Sequence, residues 1–196
     1  MTDDQTFRVV LAIGMLVCVP IALYHRLRSQ ASGERLDRRQ EGLFVLLTLR
    51  LLGVATMAAI GVFIIAPASM AWSAMWMPVP VRRAGVAIGA LAIGLLAWTL
   101  RTLGLNLTDT VVTRRDHTLV TTGPYRCHAF YVAVAPVMLG NGLAAAKGGI
   151  LAAGAATVAL LVVRCRAEED NLAARFGDAC RAYAARTGRF LPRLAG

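Results

Sequence analysis

Charge is scarce in this sequence of 196 residues. Only 16% are Asp, Glu, Lys or Arg, against 57% hydrophobic residues and a mean hydropathy of +0.60. A soluble domain carries about a quarter charged residues, so the shortage excludes an ordinary water-soluble fold. Lysine is nearly missing, with Lys147 the only one, and the net charge of +10 therefore comes from arginine. A continuous basic tract is missing too. The arginines lie between apolar segments, which argues against a nucleic-acid-binding face and for contact with anionic lipid headgroups. Cys18, Cys127, Cys165 and Cys180 form no C-x-x-C pair, so neither a metal site nor a disulfide framework is expected and the cysteines read as packing residues. No linker interrupts the chain, which is expected to form one integral membrane domain over residues 1–196.

What is present is a series of apolar segments. The first uncharged stretch, Val9 to Tyr24, follows Asp3 and Asp4 and lacks the basic start and small-residue cleavage site of a signal peptide, so it reads as a first helix. His25 to Glu41 reads as a charged loop. From Leu51 to Val81 there are 31 positions without charge, more than the roughly 20 a spanning helix needs. Pro67, Pro78 and Pro80, with Trp72 and Trp76 among them, place the end of a second helix near Ala66 and an interfacial aromatic segment after it. Ala84 to Leu100 makes a third helix flanked by Arg82, Arg83 and Arg101, with Gly85, Gly89 and Gly94 as small surfaces for close packing. Ala129 to Ala146 and Gly148 to Val163 then form a hairpin around Lys147.

The expected fold is therefore all-α, a polytopic membrane protein of about five transmembrane helices with a cytoplasmic C-terminal helical segment. Three helices occupy residues 1–100, and two more lie in a catalytic half, 101–196. With five spans, the arginine-rich segments His25 to Glu41, Arg101 to Arg126 and the tail from Arg164 all fall on one side, placing the N-terminus outside and the C-terminus in the cytoplasm. The arginine-for-lysine and alanine-rich usage suggests a bacterial inner membrane.

Polar residues concentrate in two clusters of the C-terminal half. The first runs R-T-L-G-L-N-L-T (Arg101 to Thr108), H-T-L-V-T-T-G-P-Y-R (His117 to Arg126) and C-H-A-F-Y (Cys127 to Tyr131). Gly123-Pro124 makes a turn that gathers Tyr125, Arg126, His128 and Tyr131 at the mouth of the fourth helix. The second cluster is R-C-R-A-E-E-D-N-L (Arg164 to Leu172), followed by F-G-D-A-C-R-A-Y and T-G-R-F-L-P. Arg164, Glu168, Asn171 and Arg175 recur at i, i+4, i+7 and i+11, one stripe of a helix leaving the membrane. Taken singly, Glu168 is an i,i+4 partner for Arg164, His128 a helix-start histidine, and Tyr125 and Tyr131 members of an aromatic belt. Ionisable groups converging at a membrane face from two distant segments point instead to function.

The order H-x-L-V-x-x-G-P-Y-R, a helix-start His with Tyr three later, R-x-x-x-E-E-x-x-L-x-x-x-F-G and Y-x-x-x-T-x-R-F-x-P resembles the isoprenylcysteine carboxyl methyltransferase and phospholipid methyltransferase superfamily. The resemblance covers about Arg101 to Pro192. It implies S-adenosylmethionine as cofactor, held at the cytoplasmic ends of the last helices by His117, Leu119, Tyr125, His128, Tyr131, Glu168 and Glu169. Carboxylates suit the cofactor's ammonium and ribose hydroxyls, a histidine its carboxylate, and aromatic faces its sulfonium. The acceptor implied is lipophilic. Arg126 or Arg164 would hold an acceptor carboxylate, whereas for an amine headgroup Glu168 or Glu169 would take the proton. One departure stands out: where the family writes G-P-Y-R-x-x-R-H-P-x-Y, this chain has G-P-Y-R-C-H-A-F-Y, two residues shorter, with Cys127 in place of an arginine and Ala129 in place of proline. A membrane steroid-reductase-like enzyme using NADPH, and a non-catalytic protein of the same fold, are the alternative readings.

Overall fold

The computed structural model describes residues 3–30, 43–104 and 129–186. These form α1 (Asp3–Gln30), α2 (Leu43–Ile65), a 3-10 segment Pro67–Ser73, α3 (Val79–Leu103), α4 (Ala129–Ala145) and α5 (Gly148–Arg186), with no strand among them. Four helical stretches are long and apolar enough to cross a membrane: Asp3–Gln30, Leu47–Ile65, Val79–Leu103 and Gly148–Cys165. The protein is thus an all-helical integral membrane protein. The remaining apolar stretch, Val132–Ala145 within α4, is shorter. It is also the enclosed one, touching α1, α2, α3 and α5.

The ends of the helices obey the local chemistry. α2 stops before Pro67, which has no N–H to continue the ladder, and the Ala66 N–H donates to the Val62 carbonyl at 2.7 Å. Trp72 and Trp76 on the following connection are 78% and 88% exposed, as interfacial aromatics should be. α1 differs from expectation. It continues through His25 to Gln30 instead of giving way to a loop, because Arg26 and Arg28 can extend a helix into water as readily as end it.

Lipid is as apolar as leucine, so helix association here depends on close packing and on polar contacts. The closest packing joins α3 to α4. A Cβ added at Gly140 would lie 2.7 Å from the Gly85 carbonyl oxygen and 3.2 Å from the Gly89 nitrogen, and one added at Gly85 would lie 2.8 Å from Leu143 Cβ. α4 meets α5 in the same way, with a Cβ at Gly142 falling 2.6 Å from Leu151 Cα. Gly94 differs from its expected role, because nothing lies within 4 Å of its missing side chain.

Polar contacts secure one end of the bundle. Arg82 is only 7% exposed. Its Nε donates to the Ala144 carbonyl at 2.9 Å, its Nη2 lies 2.8 Å from Asp4 Oδ1, and its guanidinium sits 4.0 Å from the Phe7 ring centroid. One side chain of α3 therefore ties α1 to the C-terminus of α4, where an arginine also answers the helix dipole. Arg8 donates to the Ile64 carbonyl of α2, and the Met75 N–H donates to the Ala146 carbonyl in the α4–α5 turn. Around them Phe7, Leu11, Ile60, Phe63, Met70 and Ile150 make the largest apolar cluster. Deeper in the helices the hydroxyls of Thr56, Thr99 and Thr157 each donate to a carbonyl four residues back, so none of these buried groups needs water.

Two predictions follow from these contacts and are checked by thermal unfolding in detergent. Gly140→Ala should cost about 1–3 kcal/mol by forcing α4 off α3, whereas Gly94→Ala should be neutral or slightly stabilising. Arg82→Leu should cost about 2 kcal/mol, and Asp4→Asn less than about 1 kcal/mol because Asp4 is half-exposed. Equal effects within either pair would contradict the packing described.

Candidate functional site

The opposite end of the bundle carries the C-terminal ends of α1 and α3 and the N-terminal ends of α2 and α4, and α5 runs on beyond it. Its floor is apolar and drawn from four helices. Val134 of α4 packs against the cluster of Leu96, Leu100 and Ala133 on one side and against Leu161 and Cys165 of α5 on the other. Leu49 of α2 packs against that second pair. Cys165 is buried and Arg164 half-buried at this level.

The expected site residues stand as follows. Arg164 lies at the floor. Tyr131 is one helical turn before Val134 on α4, and Glu168 and Glu169 are about one turn beyond Cys165 on α5. Since α4 and α5 run antiparallel, both sets of positions extend past the same contact toward the same end. The structure describes the backbone of these three positions and not their side chains. His117, Leu119, Tyr125, Arg126 and His128 lie outside the described residues. Cys165 packs as expected of the cysteines, whereas Leu49 and Val134 were not singled out from sequence, although Val134 is a predictable neighbour one turn from Tyr131. Among the described residues, no three His, Cys, Asp or Glu stand close enough to hold a metal ion.

α5 remains one helix from Gly148 to a break at Gly177, so the stripe Arg164, Glu168, Asn171 and Arg175 lies on a single continuous face. Gly177 itself has φ 53° and ψ −126°. Only glycine adopts that conformation without strain, which gives the F-G pair of the motif a physical reason. The same geometry, φ 54° and ψ −124°, ends α3 at Gly104.

Residues 85–174 match the family described as Isoprenylcysteine carboxyl methyltransferase (ICMT) family. That match supports the isoprenylcysteine carboxyl methyltransferase superfamily for this segment. No curated protein sequence matches the chain. The family match begins at the glycine that packs α3 on α4, takes in all of α4, and stops three residues before the Gly177 break. It leaves α1 and α2 outside. The match supports a membrane methyltransferase kind of function, and it covers the three helices joined by the glycine contacts.

Gly177→Ala should place a side chain in a strained backbone at a cost of about 1–2 kcal/mol, although no atom blocks the space. Backbone amides of residues 178–186 should then exchange with deuterium faster than in the parent. Unchanged exchange would show that the break does not depend on glycine.

Proposed function

We propose that the protein transfers a methyl group from S-adenosylmethionine to a lipophilic acceptor at the cytoplasmic membrane face. The observation that carries this reading is the family match over α3, α4 and α5, the helices whose ends meet at the apolar floor. The chain acts as one domain over residues 1–196, with residues 101–196 as its catalytic half. α4 is the fifth span. Its 17 residues reach about 25 Å, enough for a helix enclosed by its neighbours. With five spans the arginine-rich end faces the cytoplasm and the N-terminus lies outside, in a bacterial inner membrane.

The chemistry of the candidate residues fits the cofactor. Glu168 and Glu169 supply acceptors for its ammonium and ribose hydroxyls, and His128 a donor for its carboxylate. Tyr125 and Tyr131 offer ring faces to a sulfonium, and His117 and Leu119 complete the lining. When bound, the cofactor supplies an electrophilic methyl group. The chain's task is alignment, because an in-line displacement needs little else. Arg164, half-buried at the floor, and Arg126 hold an acceptor carboxylate, which attacks through its own lone pair and needs no base. With an amine acceptor, Glu168 receives the released proton.

Calorimetric titration of the detergent-purified protein with S-adenosylmethionine, S-adenosylhomocysteine and NADPH tests this. The first two should bind and the third should not. Glu168→Gln and His128→Ala should each weaken binding about tenfold, the loss of one charge-assisted hydrogen bond, while the protein stays folded. Binding of NADPH alone would favour a reductase, and binding of none would favour a non-catalytic protein of the same fold.

A further inference from the structure

α1 and α3 run parallel, and Cys18, Ile21 and Ala22 of α1 pack against Leu96 and Leu100 of α3. That register brings the next turn of α1 level with the end of α3. His25, half-buried, follows Ile21 by four residues, and both Arg28 and Arg101 act on it electrostatically. Both arginines are exposed, and neither α3 nor the second half of α1 contains a carboxylate. On the membrane side, Tyr24 lies one turn before Arg28 and is 59% exposed, and Trp98 lies one turn before Arg101 and is 55% exposed. Gly94, one turn earlier again, leaves an open notch on the same face of α3. Two cation-capped apolar stripes thus stand side by side, an arrangement complementary to an amphiphile with a negative head.

We propose that Arg28 and Arg101, with His25 between them, bind the phosphate head of an anionic membrane phospholipid whose chains lie along Tyr24, Trp98 and Gly94. This binding does not require methyl-transfer activity. Guanidinium forks suit phosphate oxygens, and the half-buried imidazole adds a third donor. Charge selects the lipid, because a zwitterionic head brings its own cation against the two arginines.

The test is native mass spectrometry of the delipidated full chain, titrated with dioleoylphosphatidylglycerol, dioleoylphosphatidylcholine or inorganic phosphate. The parent should retain phosphatidylglycerol in preference to phosphatidylcholine. Arg28→Gln with Arg101→Gln should lower phosphatidylglycerol retention about tenfold and leave phosphatidylcholine unchanged. Arg83→Gln, an exposed arginine at the other end, should have no effect, and Arg28→Lys with Arg101→Lys should preserve most of the retention. Four results would overturn the proposal: full retention by the double glutamine variant, an equal loss with Arg83→Gln, loss with the lysine pair, or displacement of the lipid by inorganic phosphate at equal concentration.

Discussion

The approach of α3 to α4 is the contact on which the bundle depends. Gly85 and Gly140 let two backbones meet where any side chain would stand between them, and the Gly89 backbone lies against Gly140. In a lipid solvent there is no apolar transfer energy to hold helices together, so contact area at short range must replace it. Gly142 and Gly154 extend the same economy from α4 to α5. α4 is therefore fixed on two sides by backbone geometry, and positions along it are set by glycine register and not by adjustable side chains. That matters for a family whose matched segment begins at Gly85 and ends on α5.

The two ends of the bundle are built differently. One is closed by polar contacts that join distant parts of the chain: Arg82 to Asp4 and the Ala144 carbonyl, Arg8 to the Ile64 carbonyl, and Lys147 near the Phe63 ring. These contacts attach α1 and α2, which the family match omits, to the helices it includes. At the other end Leu49, Leu100, Val134 and Cys165 make an apolar floor.

Much of this was legible in the sequence, because bilayer crossing imposes long uncharged runs that a linear reading detects directly. The end of α2 at Pro67, the turn at Lys147 and the packing role of Gly85 all came from local signals. What a linear reading missed are contacts between residues far apart. Arg82 read as one of a flanking pair at a helix entry, and nothing in its neighbours announces that it is buried while Arg83 is exposed. Gly89 and Gly94 looked like Gly85, yet a side chain at either would meet open space, since one glycine every few residues says nothing about which faces a partner. Of the expected site positions, Arg164, Tyr131 and the Glu168–Glu169 pair fall toward the same end, because α4 and α5 run antiparallel. The floor beneath them came only from the structure, because apolar residues in an apolar chain carry no distinguishing signal.

The shortened stretch Gly123 to Tyr131 can be weighed in the same physical terms. The two absent residues fall ahead of Ala129, the first described residue of α4, whereas the register of α4 is set farther along, at Gly140 and Gly142. A deletion upstream of a helix changes how the chain approaches it and leaves the rotation of the helix alone. Tyr131 therefore keeps its place one turn from Val134, and Val134 its contact with Cys165, whatever path leads into the helix. The departure bears on Arg126 and His128, which lie outside the described residues, and not on the α4–α5 pair. If methyl transfer depends chiefly on alignment, the part of the proposed site held by glycine register is the part the deletion cannot displace.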